Sequence, residues 1–597
     1  MTPTLHATRA CRRTTNNRLI PACALGCSQH VPDQNEPMNF ISNKIAPTNQ
    51  KLRGGYYTPV LLARYVCKWA LRDGQEKVLE PSAGDGNFLA ALNDAAGDKG
   101  GVRVTAVEID RVEIAKARAR SADLTKIDVT WRNEDFFSAY RKLPRDFDAV
   151  VGNPPFIRFQ HFDADSRETA FDHLREHGYR PTKLANAWAA FVQLSIELLR
   201  PGGRLAMVIP AELLQVKYAA ELRERITQMF DHVVLVTFQK LVFEGIQQEV
   251  VLVLAEGKRA SAGDHSVVHT VEFADAESLF SVASLSEVIA HSPEKHARKD
   301  VKWTALFLPD TAFSSLERAY RSEGVQKLGD LAKVEVGIVT GRNSFFVIDD
   351  EQARNVRLNG FSQPLVGRTS SLRSICFNKK DFAAHSEKHP SILIDLNGVP
   401  EEKLSGELVE YIQEGERAGV HNGYKCSIRK RWYDVPSIYV PDAFLFRQIH
   451  DAPLLVANKA RATSTDTIHR VRFHREVAAE TVAAAFCNSL TFAWAEVCGR
   501  SYGGGLLELE PREALELPIP LEAACAVDEQ KLDRILRKGG VEAALDYSDP
   551  ILLGEGLGMS TAEVRAVRDC WVQLRDRRKN RKHASKIAGP KMTSAPA

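Results

Sequence analysis

The stretch VVGNPPFIRF, at residues 150–159, places an asparagine and two prolines directly behind an apolar run. The apolar run predicts a strand, which must end where Pro154 begins because proline cannot donate a ladder hydrogen bond. The side-chain oxygen of Asn153 and the carbonyl oxygen of Pro154 then form two hydrogen-bond acceptors close to the aromatic ring of Phe156. A rigid turn without a chemical role is the alternative, and the surrounding sequence weakens it.

A second motif, VLEPSAGDGNF at residues 78–88, places two glycines in a turn between a predicted strand and a predicted helix. Such a turn lets a ligand approach the backbone, but a dinucleotide fingerprint needs a third glycine where this chain has Leu89. Glu80 and Asp85 bracket the turn. Two carboxylates repel a pyrophosphate and attract a ligand with a sulfonium and an ammonium group, so the motif favours S-adenosylmethionine over a nicotinamide cofactor.

Acidic residues also follow the next two predicted strands. Glu108 lies near the end of RVTAVEID, where a doubly wound sheet offers a carboxylate to ribose hydroxyls. Asp135 follows the third strand, where it can accept a hydrogen bond from an adenine amino group, and Phe136 beside it can form an apolar wall. A single acid of this kind is typical of a solvated loop. Three acids at the carboxyl ends of successive strands indicate a cofactor site.

A parallel sheet is needed to bring these residues together, and the region from about residue 54 to residue 255 predicts one. Strand-like apolar runs alternate there with helical periodicity, a pattern typical of a doubly wound α/β sheet. The predicted strands are KVLEP, RVTAVEI, VTWRN, DAVVGN, RLAMVI, HVVLVTF and EVVLVLA. The polar stretch 256–265 predicts a loop at or near the end of this domain. Beyond about residue 300 irregular strands, loops and short helices follow.

Composition limits the possible classes of protein. The 597 residues can bury several cores, and a net charge of +3 confines any nucleic-acid surface to a local patch. The ten cysteines are too scattered for a disulfide framework or a metal site, so no metal is expected. No apolar run approaches the ~20 residues that span a bilayer, which predicts a soluble, cytoplasmic protein. Residues 1–50 predict a disordered extension, with translation starting at Met1 or Met38.

In their order along the chain, these motifs resemble those of the γ-class adenine-N6 DNA methyltransferases, the TaqI-like and Eco57I-type modification methylases. The segments that carry the resemblance are GGYYTP, VLEPSAGDGNFL, AVEID, NEDFF, NPPF, LRPGGRLAMVIPAELL, LVFEGIQQEVVLVL, VGIVTGRNSFFVI and SYGGGLLELEP. The resemblance implies a Rossmann-like S-adenosylmethionine-dependent methyltransferase domain at 51–300 and a mixed α/β DNA target-recognition domain at 301–545. A helical segment and a basic disordered tail are expected at 546–597.

The resemblance also implies roles for single residues. Asn153 and Pro154 would accept the two hydrogens of the adenine amino group. Phe156 and Phe243 would stack on the two faces of a base flipped out of the duplex, and an ordinary core position is the alternative for Phe243. The cofactor contacts that the motifs imply are Thr58, Glu80, Ala83, Gly84, Glu108, Ile109, Asp135, Phe136 and Pro155.

The activity that the resemblance implies is sequence-specific transfer of a methyl group from S-adenosylmethionine to adenine N6 in double-stranded DNA, as the modification enzyme of a restriction-modification system. It implies a monomer acting on the bacterial nucleoid. Any cognate endonuclease is expected to be encoded separately, because the sequence has no convincing PD…ExK constellation. A methyltransferase of protein glutamine or of an RNA base, and a DNA-binding protein with a decayed catalytic core, are the alternatives.

Overall fold

The computed structural model describes residues 57–98, 100–243, 248–282, 285–297, 301–474, 477–502 and 504–580. The predicted disordered extension at 1–50 and the part of the predicted basic tail beyond residue 580 lie outside these ranges, whereas the first residues of that tail, 575–580, belong to the last helix and are not disordered. Within them, no single helix is both long enough and apolar enough to cross a membrane. One bent pair of helices, 479–486 with 489–498, passes by length and composition and is buried in a core of the C-terminal half.

The N-terminal half is built on a nine-stranded sheet that contains all seven predicted strands. Its strands are β1 Lys77–Glu80, β2 Val102–Val107, β3 Ile127–Arg132, β4 Phe147–Gly152, β5 Leu199–Pro210, β6 Phe230–Phe238, β7 Val250–Lys258, β8 Val267–Phe273 and β9 Glu294–His296. They are arranged in the order β3-β2-β1-β4-β5-β7-β6-β8-β9. Strands β1 to β5 are parallel, so their carboxyl ends lie along one edge of the sheet.

Two strands depart from the parallel sheet that the sequence pattern predicts. β7 runs antiparallel between β5 and β6, and β9 runs antiparallel beside β8. Only residues 239–249 join β6 to β7, which is too short a connection for the helical crossover that parallel neighbours usually need. The polar stretch 256–265 begins inside β7, and the sheet continues beyond it through β8 and β9.

Helices cover both faces of this sheet and create two separate apolar cores. The helices are α1 Val60–Ala70, α2 Asn87–Ala95, α3 Arg111–Ser121, α4 Phe136–Ala139, α5 Ala164–Glu176, α6 Ala187–Leu198, α7 Ala220–Met229, α8 Ala276–Phe280 and α9 Leu285–Ala290. Neighbouring residues of β4 point into opposite cores, Val150 toward α6 and α7 and Val151 toward α1 and α2. The predicted doubly wound α/β class is confirmed.

The C-terminal half contains smaller sheets built from short strands. They are β10 Gln326–Lys327, β11 Ala332–Glu335, β12 Val347–Ile348, β13 Ser362–Val366, β14 Cys376–Phe377, β15 Ile392–Ile394, β16 Ala443–Phe446, β17 Gln448–Ile449, β18 Leu455–Asn458, β19 Thr463–Ser464, β20 Ile468–Phe473, β21 Arg500–Tyr502, β22 Leu506–Glu508 and β23 Pro518–Ile519. The largest has the order β11-β20-β16-β18-β14, and a second has the order β12-β15-β13-β19.

The helices of this half are α10 Asp310–Tyr320, α11 Leu328–Leu331, α12 Asn343–Phe346, α13 Asp350–Asn355, α14 Lys379–Ser386, α15 Gly406–Arg417, α16 Tyr424–Ser427, α17 Ala479–Phe486, α18 Ser489–Cys498, α19 Pro511–Ala514, α20 Glu529–Asp549 and α21 Thr561–Asn580. The main core includes α18 and α21. A separate core unites β12, β13 and β15 with α12, α15 and α16, and we call this unit, together with β19 and α13, the small lobe.

A buried ion pair fixes α21 against α18. The Nε and Nη2 atoms of Arg578 donate to the two carboxylate oxygens of Glu496 at 3.0 and 2.6 Å. Its Nη1 donates to the carbonyl oxygens of Gly505 at 2.6 Å and His450 at 3.0 Å. Both charged groups are therefore fully hydrogen-bonded away from solvent, the condition under which a buried ion pair is tolerated.

The two halves also touch at the far side of the large sheet. Arg577, on α21, donates to Glu272 on β8 at 2.8 Å and to the Thr237 hydroxyl on β6 at 3.1 Å. The same guanidinium lies 3.7 Å from the ring centre of Phe307. The C-terminal helix thus returns to the sheet of the N-terminal half.

Candidate active site

A cavity of about 700 Å³ opens at the carboxyl ends of β1 to β4. The loop that follows each of these strands contributes to its wall. The predicted site residues that line it are Thr58, Ala83, Gly84, Glu108, Ile109, Asp135, Phe136, Asn153 and Pro155. Another cavity, of about 870 Å³, lies between β8 and α21 and contains none of the predicted residues.

The turn after β1 holds the carboxylate of Glu108 in place. The backbone N–H of Gly84 donates to one oxygen of Glu108 at 2.8 Å, and the N–H of Asp110 donates to the other at 2.8 Å. Gly84 has a φ of 54° and Gly86 a φ of 85°, left-handed values that favour glycine. Burial raises the pKa of Glu108, although both backbone hydrogen bonds oppose that rise. Glu108 is therefore positioned before any ligand arrives.

The turn after β3 pairs an acid with an aromatic wall. Asp135 is the N-cap of α4 and accepts from the N–H of Ser138 at 3.3 Å. Burial raises its pKa despite this hydrogen bond. Phe136 stacks on Phe191 with ring centres 4.8 Å apart, and both rings line the cavity. Ile109 is among the most exposed large apolar side chains of the described chain, as expected for a residue that a ligand covers.

Glu80 ends β1 directly before the cavity-lining residues Pro81 and Ser82, and it is fully buried outside the lining itself. Neither of its carboxylate oxygens has a hydrogen-bond partner within the described ranges, and the same holds for the buried hydroxyl of Thr58. Burial raises the pKa of Glu80 well above its usual value, and the nearby charges of Glu108 and Asp85 add to the rise. Buried polar groups of this kind are costly unless a ligand satisfies them.

The NPPF segment turns at the edge of the cavity. The hydroxyl of Ser82 donates to the backbone carbonyl of Asn153 at 3.2 Å, which ties the turn after β4 to the turn after β1. Pro154 is buried and Phe156 is half-buried between the two cores, and neither lines the cavity. Phe243 is buried in the core beneath α1 and α2, and it too lies outside the lining.

Several lining residues were not predicted from the sequence. They are Tyr57, Asn87, Lys116, His161, Phe162, Asp163 and Phe191, among others. The ring of Phe162 lies 5.2 Å from that of Phe159 and 6.2 Å from that of Phe137. The aromatic spacing of IRFQHF, directly after NPPF, is the available signal for Phe162, whereas Phe191 lies in a mostly apolar helix that gives none.

The C-terminal half contacts the loops beside this site. The N–H of Ser501 donates to the side-chain oxygen of Gln215 at 2.6 Å, and its hydroxyl donates to Glu249 at 3.0 Å. Gln215 follows β5 and Glu249 precedes β7, so both lie at the sheet edge that carries the cavity. The segment SYGGGLLELEP thus packs beside the site rather than standing free of it.

Comparisons with known proteins match both halves of the chain. Residues 38–301 match the family model described as N-6 DNA Methylase, and residues 300–553 match Type II methyltransferase M.Eco57I, C-terminal domain. Type II methyltransferase M.AccI of Acinetobacter calcoaceticus is 21% identical over 528 residues, 85% of this chain and 92% of that protein. M.XamI of Xanthomonas campestris pv. amaranthicola is 23% identical over 78% of this chain and 85% of its own length.

Among solved structures, the type IIL restriction-modification enzyme MmeI in complex with DNA is similar with a TM-score of 0.49 and 11% identity, over 86% of this chain and 75% of that one. The type IIG restriction endonuclease BpuSI is similar with a TM-score of 0.40 and 15% identity, over 89% of this chain and 67% of that one. The family matches include both the catalytic motifs and the long C-terminal half. The chain is a DNA methyltransferase that belongs to the Eco57I-type N6-adenine methyltransferase family of restriction-modification systems.

Proposed function

We propose that this chain transfers the methyl group of S-adenosylmethionine to N6 of adenine at a specific sequence in double-stranded DNA, after flipping the target base. The observation that carries the proposal is the cavity at the ends of β1 to β4, where Glu108 and Asp135 form part of the wall and Glu80 is buried with no hydrogen-bond partner among the described residues. The chain acts as a monomer in this proposal, and any cognate restriction endonuclease is encoded separately. Residues 51–300 carry the chemistry and residues 301–545 read the target.

The cofactor supplies an electrophilic methyl group on a sulfonium when it is bound. Glu80 accepts hydrogen bonds from the ammonium at the methionine end, and the hydroxyl of Thr58 donates to the carboxylate. Glu108, already held by two backbone N–H groups, accepts from the ribose hydroxyls. Asp135 accepts from the adenine amino group of the cofactor, between the side chains of Phe136 and Ile109. Pro155 and the backbone of Ala83 and Gly84 complete the contacts.

The NPPF segment prepares the target nitrogen for attack. The lone pair of an adenine amino group is delocalised into the ring, so the nitrogen is a poor nucleophile until it is drawn toward tetrahedral geometry. The side-chain oxygen of Asn153 and the carbonyl oxygen of Pro154 each accept one of its hydrogens, and the ring of Pro154 fixes that carbonyl. Phe156 stacks on the flipped base. The burial of Phe243 in a core outside the cavity favours the alternative role for that residue, an ordinary core position. The bond from N6 to the methyl group forms as the sulfonium–methyl bond breaks, and the amino proton then passes to solvent. No carboxylate base is needed before the attack, because that proton becomes acidic only during the transfer.

Single-molecule sequencing of DNA from cells that express the chain tests the reaction, because it reports the modified base and the sequence around it together. We expect N6-methyladenine within one short motif. A modified cytosine, or no modified base, would contradict the proposal and return the alternative acceptors, protein glutamine or an RNA base, to consideration.

Asn153→Ala tests the roles of the residues. The variant loses an acceptor that acts mainly in the transition state, so single-turnover methyl transfer should fall by ~100-fold or more while cofactor affinity changes little. Phe156→Ala should weaken capture of the flipped base, and Phe156→Trp should be milder because an aromatic face survives. Asn355→Ala, at an exposed position of α13 in the C-terminal half, is the control. A wild-type rate for Asn153→Ala would make Asn153 a turn residue only.

A further inference from the structure

Large apolar side chains are exposed on two segments of the small lobe that contact each other. Tyr424 is 74% exposed, Ile428 63% and Val339 39%. Tyr424 begins α16 and Ile428 follows it, while Val339 lies in the loop between β11 and α12. Single exposed apolar residues are ordinary, but a group of them indicates a surface that another molecule covers.

Arg429 joins the two segments that carry these side chains. Its Nη2 donates to the carbonyl oxygens of Val339 at 3.1 Å and Thr340 at 2.8 Å, and its Nη1 donates to the carbonyl oxygen of Trp432 at 3.2 Å. A side chain at Gly341 would meet the Cβ of Lys425 at 3.0 Å, so the backbones approach closely here. The exposed surface is therefore held in a fixed arrangement rather than carried on two independent loops.

The same two segments are strongly basic. Neither 336–348 nor 417–433 contains an acidic residue, and together they contain six basic ones, Arg342, Arg417, Lys425, Arg429, Lys430 and Arg431. Lys425 and Lys430 are exposed, and neither forms an ion pair within the part of the chain that the structure describes. The ammonium of Lys425 lies 5.8 Å from the ring centre of Tyr424. We call Val339, Arg342, Tyr424, Lys425, Ile428 and Lys430 the Tyr424 patch.

Beyond its first residue, Lys430, the side chains of Arg431, Trp432 and Tyr433 in the KRWYDVP segment make contacts inside the small lobe, although their aromatic and basic character also suggests recognition. Tyr433 is buried, and the ring of Trp432 packs 4.9 Å from that of Phe345 in the core of the small lobe. Arg431 donates to both oxygens of Asp434, at 2.9 and 2.8 Å, and to two backbone carbonyls. Because these side chains pack inside the small lobe, they are not available to another molecule. The exposed residues that precede them in the sequence are available.

We propose that the Tyr424 patch holds the DNA duplex that flanks the target base. Lys425 and Lys430 contact backbone phosphates, and Tyr424 and Ile428 pack on sugars and base edges. Exposed basic side chains on two segments that carry no acidic residue are complementary to a phosphate backbone, and the adjoining aromatic and apolar side chains suit the apolar parts of a nucleotide. This inference rests on the proposed function, because it names the surface through which the substrate of that reaction is held.

Binding of the full chain to a fluorescent duplex, measured over a series of salt concentrations, tests the patch. The duplex carries the motif found by sequencing, and a random duplex is run beside it. Lys425→Ala combined with Lys430→Ala should lower the affinity for both duplexes about tenfold at moderate salt. It should also reduce the slope of log affinity against log salt by ~1 to 2, since each lost phosphate contact accounts for ~0.9.

Tyr424→Ala should weaken binding to the motif duplex by about tenfold and leave the salt slope unchanged, while Tyr424→Phe retains most of the affinity. The matched controls are Lys403→Ala and Val409→Ala, at exposed positions of the same half outside the patch. Cofactor affinity and thermal unfolding should match wild type in all variants, because the altered side chains are exposed.

Wild-type affinity and salt slope in the patch variants would overturn the inference. So would an equal loss in the Lys403→Ala control, which would show a diffuse charge effect instead of a defined surface. The two proposals fail in different ways. If the wild-type chain methylates no DNA, the proposed function fails, whereas if it methylates its motif and the patch variants bind and methylate equally well, only the patch is wrong.

Discussion

Two buried glutamates, one in each half, are treated in opposite ways by the fold. Glu496 is enclosed by Arg578, which donates to both of its carboxylate oxygens. Glu80 is equally inaccessible to solvent, but its oxygens find no partner in the described ranges. A buried carboxylate needs an opposite charge, or else it keeps its proton. A buried carboxylate that is hydrogen-bonded by a cation therefore stabilises the fold. A buried carboxyl group without a partner, beside a cavity, instead indicates where a ligand binds.

The largest effect should come from the satisfied pair. Arg578→Met leaves Glu496 buried and unpaired, so it should lower the free energy of unfolding by ~3 to 5 kcal/mol. Urea denaturation measures the loss, with the exposed Arg565→Met on the same helix as the control, expected to change little. A loss below about 1 kcal/mol would mean that the pair behaves like a surface ion pair and that the contrast with Glu80 is weaker than the geometry indicates.

Glu80→Gln should have a smaller effect of a different kind. It replaces a buried carboxyl group that has no hydrogen-bond partner within the described ranges, so the unliganded fold should keep or gain stability at neutral pH. It should weaken S-adenosylmethionine binding by about 10- to 100-fold, the value of a charged hydrogen bond of ~1.5 to 3 kcal/mol. Titration calorimetry and denaturation together test this expectation.

A third buried glutamate provides the control for that variant. Glu76 accepts from Arg204 at 3.1 Å and from the N–H of Gly74 at 3.0 Å, so it resembles Glu496 and lies in the same half as Glu80. Glu76→Gln should destabilise the fold and leave cofactor affinity unchanged. If both variants had the same consequences, the comparison between satisfied and unsatisfied glutamates would break down.

The smallest expected effect is on the pH dependence of stability, and it concerns the Glu80 carboxyl group directly. Because burial raises the pKa of Glu80 in the folded state, the native protein holds a proton that the unfolded chain releases above about pH 4.3. The native state then binds more protons, so the contribution of Glu80 to stability falls as pH rises from that value toward its raised pKa. The raised pKa values of Glu108 and Asp135 act in the same direction.

Denaturation of the unliganded protein from pH 4 upward, beside Glu80→Gln, isolates the contribution of this residue. The variant should show a flatter decline than wild type, because the amide that replaces the carboxyl group cannot titrate. Identical profiles would show that the Glu80 carboxyl is satisfied in solution in a way that lowers its pKa to the usual range.

The positions of the acids along the sheet edge could be predicted from the sequence because parallel strands place their carboxyl ends side by side, and each apolar run marks where a strand ends. The direction of β7 could not be predicted, because the apolar pattern of EVVLVLA indicates a buried strand whichever way the strand runs in the sheet. The burial of Glu80 depends on how α1 and α2 pack over β1, which periodicity does not specify. Phe191 could not be predicted for a similar reason, because its helix is mostly apolar and almost wholly buried, so the sequence does not indicate which side chain faces a cavity.

The C-terminal half was less predictable because its pairings are distant in sequence and its strands are short. Strand β10 pairs with β23, and β14 pairs with β18, across long intervening segments. Short strands of this kind carry too few residues for a period to be recognised. The KRWYDVP segment has the composition of a nucleic-acid surface, and only the three-dimensional packing of Trp432 distinguishes it from the exposed residues beside it.

The contacts of Ser501 and Arg577 have a consequence for engineering. Both residues join the two halves, one beside the cavity and one at the far side of the sheet, and both lie outside the small lobe. Exchanging the whole C-terminal half between relatives would have to rebuild both junctions at once. A graft confined to the small lobe, which has its own core, would leave them intact and would be the less disruptive way to test whether that lobe reads the target sequence.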